Sequence, residues 1–148
     1  MGPKRQLGDG QASEGFYYVR PIQLNPLSTF HLSFNLGYPN RYDRIHGRTG
    51  SALMVHGSCV SIGCYAMTDS VIEEIYTLAD AAFNNGQPFF RVHLFPFRMT
   101  KGNMERHQDS AWIEFWRNLR EGYDYFENTF KPPNVLVRNR RYVFEPSN

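Results

Sequence analysis

The chain has 148 residues, a length that suits one domain with a sizeable core, and we read residues 1–148 as that single domain. Its 16 basic and 14 acidic side chains leave a formal charge of +2, too mild for a nucleic-acid binder and without a basic run to support one. No stretch is long and apolar enough to span a membrane, and the polar, glycine-bearing start has no apolar signal-peptide core.

Residues 1–15 are polar and glycine-rich and read as a loop or tail, with 12–15 as the turn before a strand. Residues 16–20 are aromatic and β-branched, a strand limited by Pro21. Asn25-Pro26 marks a turn. Over 30–36, Phe30, Leu32, Phe34 and Leu36 alternate with His31, Ser33 and Asn35, which predicts a strand with one buried face. His31 points to the other face and receives no role. Residues 37–51, with Arg41, Arg44 and Arg48, read as a long polar loop. Residues 53–56 are a short buried strand. Thr68, Asp69 or Ser70 caps the helix that follows, with Ser70 and Glu73 spaced for a capping box. Ile72, Ile75, Tyr76, Ala79, Ala82 and Phe83 form its apolar stripe, and Gly86 closes it. A strand over 89–95 precedes a helical turn over 103–107. Trp112, Ile113, Phe115, Trp116 and Leu119 mark a helix over 111–119. Gly122 is expected to break or bend it before 123–130 resumes, and Pro132-Pro133 ends all helix. Asn139-Arg140 between two apolar runs predicts a closing hairpin. With 12 Phe and 9 Tyr to fill a β-rich core, the pattern is mostly β with packed helices, an α+β domain.

The chemistry concentrates in residues 55–69, V-H-G-S-C-V-S-I-G-C-Y-A-M-T-D, which hold both cysteines, His56 and two glycines. A thiol and an imidazole this close suit a nucleophile and its base. Glycines let backbone approach a carbonyl and aim N–H groups at an oxyanion. Two other readings stand beside this one. His46, His56, Cys59 and Cys64 form a two-Cys, two-His zinc set, or the cysteines are inert core. From residue chemistry alone the three stay open.

Ser61-Ile62-Gly63-Cys64, preceded by Leu53-Met54-Val55-His56-Gly57, resembles the signature of the YkuD-type L,D-transpeptidases. More specifically the chain resembles their YafK-like branch. The resemblance rests on Gly2-Pro3-Lys4, on the segments 15–19, 33–37, 46–50 and 96–100, and on Gly122-Tyr123-Asp124-Tyr125-Phe126-Glu127. It implies a YkuD-like catalytic domain that acts by ping-pong acyl transfer on peptidoglycan stem peptides in the periplasm or cell envelope, with no metal or organic cofactor. Relatives carry earlier strands and an export signal before their Gly-Pro-Lys, so the domain is expected to be shortened at its N-terminal side. Residue by residue, the resemblance makes Cys64 the nucleophile and places oxyanion donors near Gly63 and Cys64. Ser61 fixes the turn or orients the base, and Gly57 and Tyr65 border the substrate.

Two departures bear on this. Ile62 stands where the family turn has a histidine. The base is then His56, eight residues before Cys64, or His46, eighteen before it. We favour His56, because three apolar residues deliver it as a strand would. The family commonly places Arg or Asn two residues after the nucleophile, where this chain has Ala66, so Arg48 is assigned the grip on a substrate carboxylate, with a pairing to Asp43 or Asp69 that only braces the loop as the equal alternative. Hydrolysis that releases a wall-attached lipoprotein is the close alternative, and a small zinc- or wall-binding module the non-enzymatic one.

Overall fold

The computed structural model describes residues 2–59 and 63–147. Among these, eight strands and four α-helices form an α+β domain in which helices carry more of the chain than the short strands. The strands are β1 (Gly15–Val19), β2 (Leu24–Asn25), β3 (Ser33–Asn35), β4 (Met54–His56), β5 (Tyr65–Ala66), β6 (Phe90–Leu94), β7 (Asn134–Arg138) and β8 (Arg141–Glu145). The helices are α1 (Arg41–Ile45), α2 (Asp69–Asn84), α3 (Lys101–Arg106) and α4 (Ile113–Thr129). β1 pairs antiparallel with β6, and β7 with β8. A third sheet runs β2-β3-β4-β5, antiparallel except for the parallel β4–β5 pair.

β1 lies between two cores. Phe16 joins Tyr42, Met99, Phe115, Trp116, Leu119 and Tyr142 on one side. Tyr17 and Val19 join Phe34, Leu36, Leu53, Val55 and Ile72 on the other. Burial on both faces explains why G-F-Y-Y-V carries no polar alternation. The second core holds the four-stranded sheet against α2, which presents Ile72 and Ala79 as its buried residues. That helix ends as the sequence predicts. Gly86 has φ +87°, and its N–H donates to the Phe83 carbonyl while that of Gln87 reaches Ala82. The hairpin turn is also as expected, with Asn139 and Arg140 at φ 49° and 61°, both left-handed as a two-residue turn requires.

Several expectations change. Of the two readings of the N-terminal segment, residues 2–14 take that of a loop and not of a tail. The Asp9 carboxylate accepts from the backbone N–H groups of Arg5, Gln6 and Gln11 and pairs with buried Lys4 at 3.0 Å. Burial pushes the Asp9 carboxyl up, but these donors outweigh it and hold it well below the usual carboxylate range. The segment 37–51 is not all loop. Asn40 accepts from the Asp43 N–H and Asp43 from the Asn40 N–H, a reciprocal cap that starts α1. The strand over 30–36 shrinks to Ser33–Asn35, because His31 is left-handed at φ 71°. Ser70 lies inside α2, whose cap position is Thr68, so no Ser70–Glu73 box forms; Glu73 instead meets His31 Nε2 at 2.6 Å. Gly122 does not break α4, which runs unbroken from Ile113 to Thr129. A Cβ there would lie 2.4 Å from Phe144 Cε1 and 2.5 Å from Phe16 Cζ, so the glycine is what lets the helix lie against two aromatic rings.

Candidate active site

β4 ends on His56, which is 4% exposed. Its Nδ1 lies 2.6 Å from the Gly57 carbonyl oxygen. A carbonyl can only accept, so Nδ1 carries the proton and Nε2 is the basic nitrogen of the neutral ring. Phe30 covers the imidazole, ring centroids 4.9 Å apart. Gly57 permits this approach. A Cβ on it would meet Asp69 Oδ1 at 2.6 Å and the Phe30 carbonyl at 2.7 Å.

Cys64 immediately precedes β5, the parallel neighbour of β4. Its Sγ accepts from the Met54 N–H at 3.5 Å and lies 3.8 Å from the Ala52 carbonyl. A backbone donor on sulfur complements negative charge there. Gly63, just before it, has φ +88°, a conformation that glycine adopts without strain. Cys64 and His56 open into one cavity of about 310 Å³, with Met54, Ser33, Asn25 and the loop 27–30 as its other walls. A thiol, an imidazole with its basic nitrogen defined and a partly apolar wall together suit nucleophilic attack by sulfur.

The other sequence-assigned residues fall as follows. Ser61 lies outside the described residues. Cys59 is exposed, and both cysteines are thiols. Tyr65 points away from the cavity; its hydroxyl donates to the Ser13 carbonyl, and burial pushes the phenol up to about 12. Arg48 is not brought to Cys64. Its Nη1 is 2.9 Å from Asp43 Oδ1 in a pair buried on both sides, and its guanidinium stacks 4.6 Å from the Phe115 ring centre. His46 is also elsewhere. Its ring stacks on Tyr42 with centroids 4.2 Å apart, and its Nε2 lies 2.9 Å from the Arg140 carbonyl. The zinc set is therefore not assembled, and among the described residues no three His, Cys, Asp or Glu side chains are grouped to hold a metal.

A larger cavity, about 680 Å³, is walled by Arg5, Asp9, His46, Arg48, Thr49 and Trp112 among others. It contains neither thiol, and its acid and buried guanidinium are each engaged by partners within the fold, so volume does not make it the reactive site. The residues that sequence reasoning missed are Asn25, Phe30, Ser33 and Met54, which wall the Cys64 cavity. Strand register places Asn25 and Ser33 there, Met54 shares the face of His56 two residues along β4, and Phe30 comes from the turn before β3.

No family model matches this sequence. The chain is 52% identical over 143 residues to the "Putative L,D-transpeptidase YafK" of Escherichia coli (strain K12), covering 97% of this chain and 58% of that protein. The same figures hold for the protein of that name from Escherichia coli O157:H7. The chain thus spans little more than half the length of these relatives, and the resemblance found in its motifs extends along nearly all of it. Among solved structures it is similar to the helical cell shape determining protein Pgp2 (K307A mutant) from Campylobacter jejuni. That match has a TM-score of 0.51 and 21% identity over 86% of this chain and 44% of the other, a likeness of fold.

Proposed function

We propose that this relative of the YafK proteins is a cysteine acyl-transfer enzyme of the L,D-transpeptidase type that acts on peptidoglycan stem peptides in the cell envelope. The observation that carries the reading is the shared cavity of Cys64 and His56. His56 Nε2 takes the proton of Cys64 Sγ. The sulfur attacks an amide carbonyl at the L-centre of diaminopimelate, with backbone N–H groups at Gly63 and Cys64 facing the oxyanion. Such a donor is typically worth about 3 kcal/mol. Collapse expels the amine, which takes the proton from His56, and leaves a thioester on Cys64. A second amine resolves it by transpeptidation; water resolves it by hydrolysis, the route that would release a wall-attached lipoprotein.

Arg48 has no part in this scheme, because Asp43 engages its guanidinium within the fold. Tyr65 and Gly57 serve it indirectly, the first by fixing β5 to Ser13 and the second by admitting Phe30 to the imidazole. The test is incubation with muropeptides followed by mass spectrometry. A cross-linked product indicates transpeptidation and a trimmed stem hydrolysis. Cys64→Ala is expected to abolish either, and Cys59→Ser to retain most of it. Equal loss in both variants would refute Cys64 as the sole nucleophile.

A further inference from the structure

The sheet carries a polar row that the scheme above does not use. Ser33 on β3 stands opposite His56 on β4, and Asn25 on β2 stands opposite Ser33. The Gly57 N–H donates to the Leu32 carbonyl at 3.0 Å, which makes Ser33 and His56 a non-hydrogen-bonded antiparallel pair. Side chains of such a pair share one face, with Cβ atoms about 4.5–5.5 Å apart. Asn25, Ser33 and His56 accordingly wall the same cavity as Cys64. Ser33 is 2% exposed, and this cavity is where it meets open space. The Asn25 Oδ1 accepts from the Leu27 N–H at 3.2 Å, which leaves the N–H₂ end of the carboxamide as its remaining donor. Among the described residues, none walling this cavity is Lys, Arg, Asp or Glu.

We propose that Asn25 and Ser33 bind the uncharged peptide backbone of the acyl donor beside the scissile amide, and that the donor's carboxylates stay outside this cavity. The inference rests on the acyl-transfer reading of Cys64. A carboxylate buried here would meet no lysine or arginine, and it would compete with the thiolate and oxyanion for the His56 imidazolium, which is costly. A peptide C=O and N–H, by contrast, match a carboxamide donor and a hydroxyl that both donates and accepts.

The test uses the full chain with a muropeptide donor, and iodoacetamide as a small probe of Cys64 that needs no peptide subsite. Asn25→Ala and Ser33→Ala are each expected to lower kcat/KM roughly threefold to tenfold, the loss of one neutral hydrogen bond. The alkylation rate and its pH profile should stay within about twofold of the parent. Asn25 is half-buried, so its variant tests the idea even where Ser33→Ala perturbs folding. Unchanged kcat/KM in both variants, with Cys64→Ala inactive, overturns the inference and leaves acyl transfer standing. A shifted alkylation profile in Ser33→Ala also overturns it, because the hydroxyl would then act through His56. Turnover retained in Cys64→Ala overturns both readings.

Discussion

Replacing Arg48 by methionine tests whether this residue braces the fold or grips substrate. Asp43 is fully buried and accepts from three donors: Arg48 Nη1 at 2.9 Å, the Tyr17 hydroxyl at 2.9 Å and the Asn40 N–H at 3.0 Å. Methionine fills much of the same space against Phe115 but leaves the carboxylate with two neutral donors and no cation. Breaking a buried pair from one side costs about 3–5 kcal/mol. For a domain of this size each kcal/mol lowers Tm by about 2–4 °C, so the variant should melt roughly 6–20 °C below the parent by circular dichroism. Adding Asp43→Asn should recover part of that loss, since the uncompensated charge is gone. KM for a muropeptide should not change selectively in Arg48→Lys. A well-folded Arg48→Lys variant with an undiminished Tm and a raised KM would refute the bracing role and return Arg48 to the substrate.

Gly122→Ala should destabilise by about 1–3 kcal/mol although alanine is the better helix former, because the new methyl group meets the rings of Phe16 and Phe144; an unchanged urea midpoint would show that those rings can yield. His93 has its pKa lowered from 6.5 to about 4, first by burial and then by the charge of Arg91. The unfolded chain therefore binds a proton that the folded one does not as pH falls from 6.5 towards 4, and stability should drop across that window. His93→Gln should flatten this part of the urea-midpoint profile, and an identical slope in both proteins would refute it.

Local chemistry made much of the fold legible. Left-handed Asn139, and Gly86 after α2, occupy positions where the required backbone angle selects the residue. Where the sequence misled, distant contacts decided. Five residues of α1 are too few to display a helical period, and the sign of that helix was the Asn40–Asp43 spacing alone. Gly122 reads locally as a helix breaker, yet the chain keeps it for the approach of β1 and β8 aromatics. The polar composition of the N-terminal segment left loop and tail open, and one carboxylate, Asp9, collects enough donors to fold it into a loop with Lys4 buried.

The candidate site divides along the same line. Cys64 and His56 reach one cavity because β4 and β5 pair side by side, so closeness in sequence becomes closeness in space. For Arg48 the sequence left both a substrate grip and a brace on an inner carboxylate open, and the structure shows it paired with Asp43. It is as near to Cys64 along the chain as many site residues are, but α1 and the Asp43 carbonyl, which accepts its backbone N–H at 2.9 Å, turn it into the Phe115 core. Nothing local distinguishes a guanidinium that will meet an inner carboxylate from one that will meet a ligand. Ser33 and Asn25 were hidden for a different reason. They are ordinary polar residues, and pairing register alone sets them beside His56. A slip of one residue between β3 and β4 would turn Ser33 away and bring Phe34 or Leu32 to the thiol. The hydrophobic demand that fixes Phe34 and Val55 in the α2-facing core therefore also fixes which polar groups a substrate would meet.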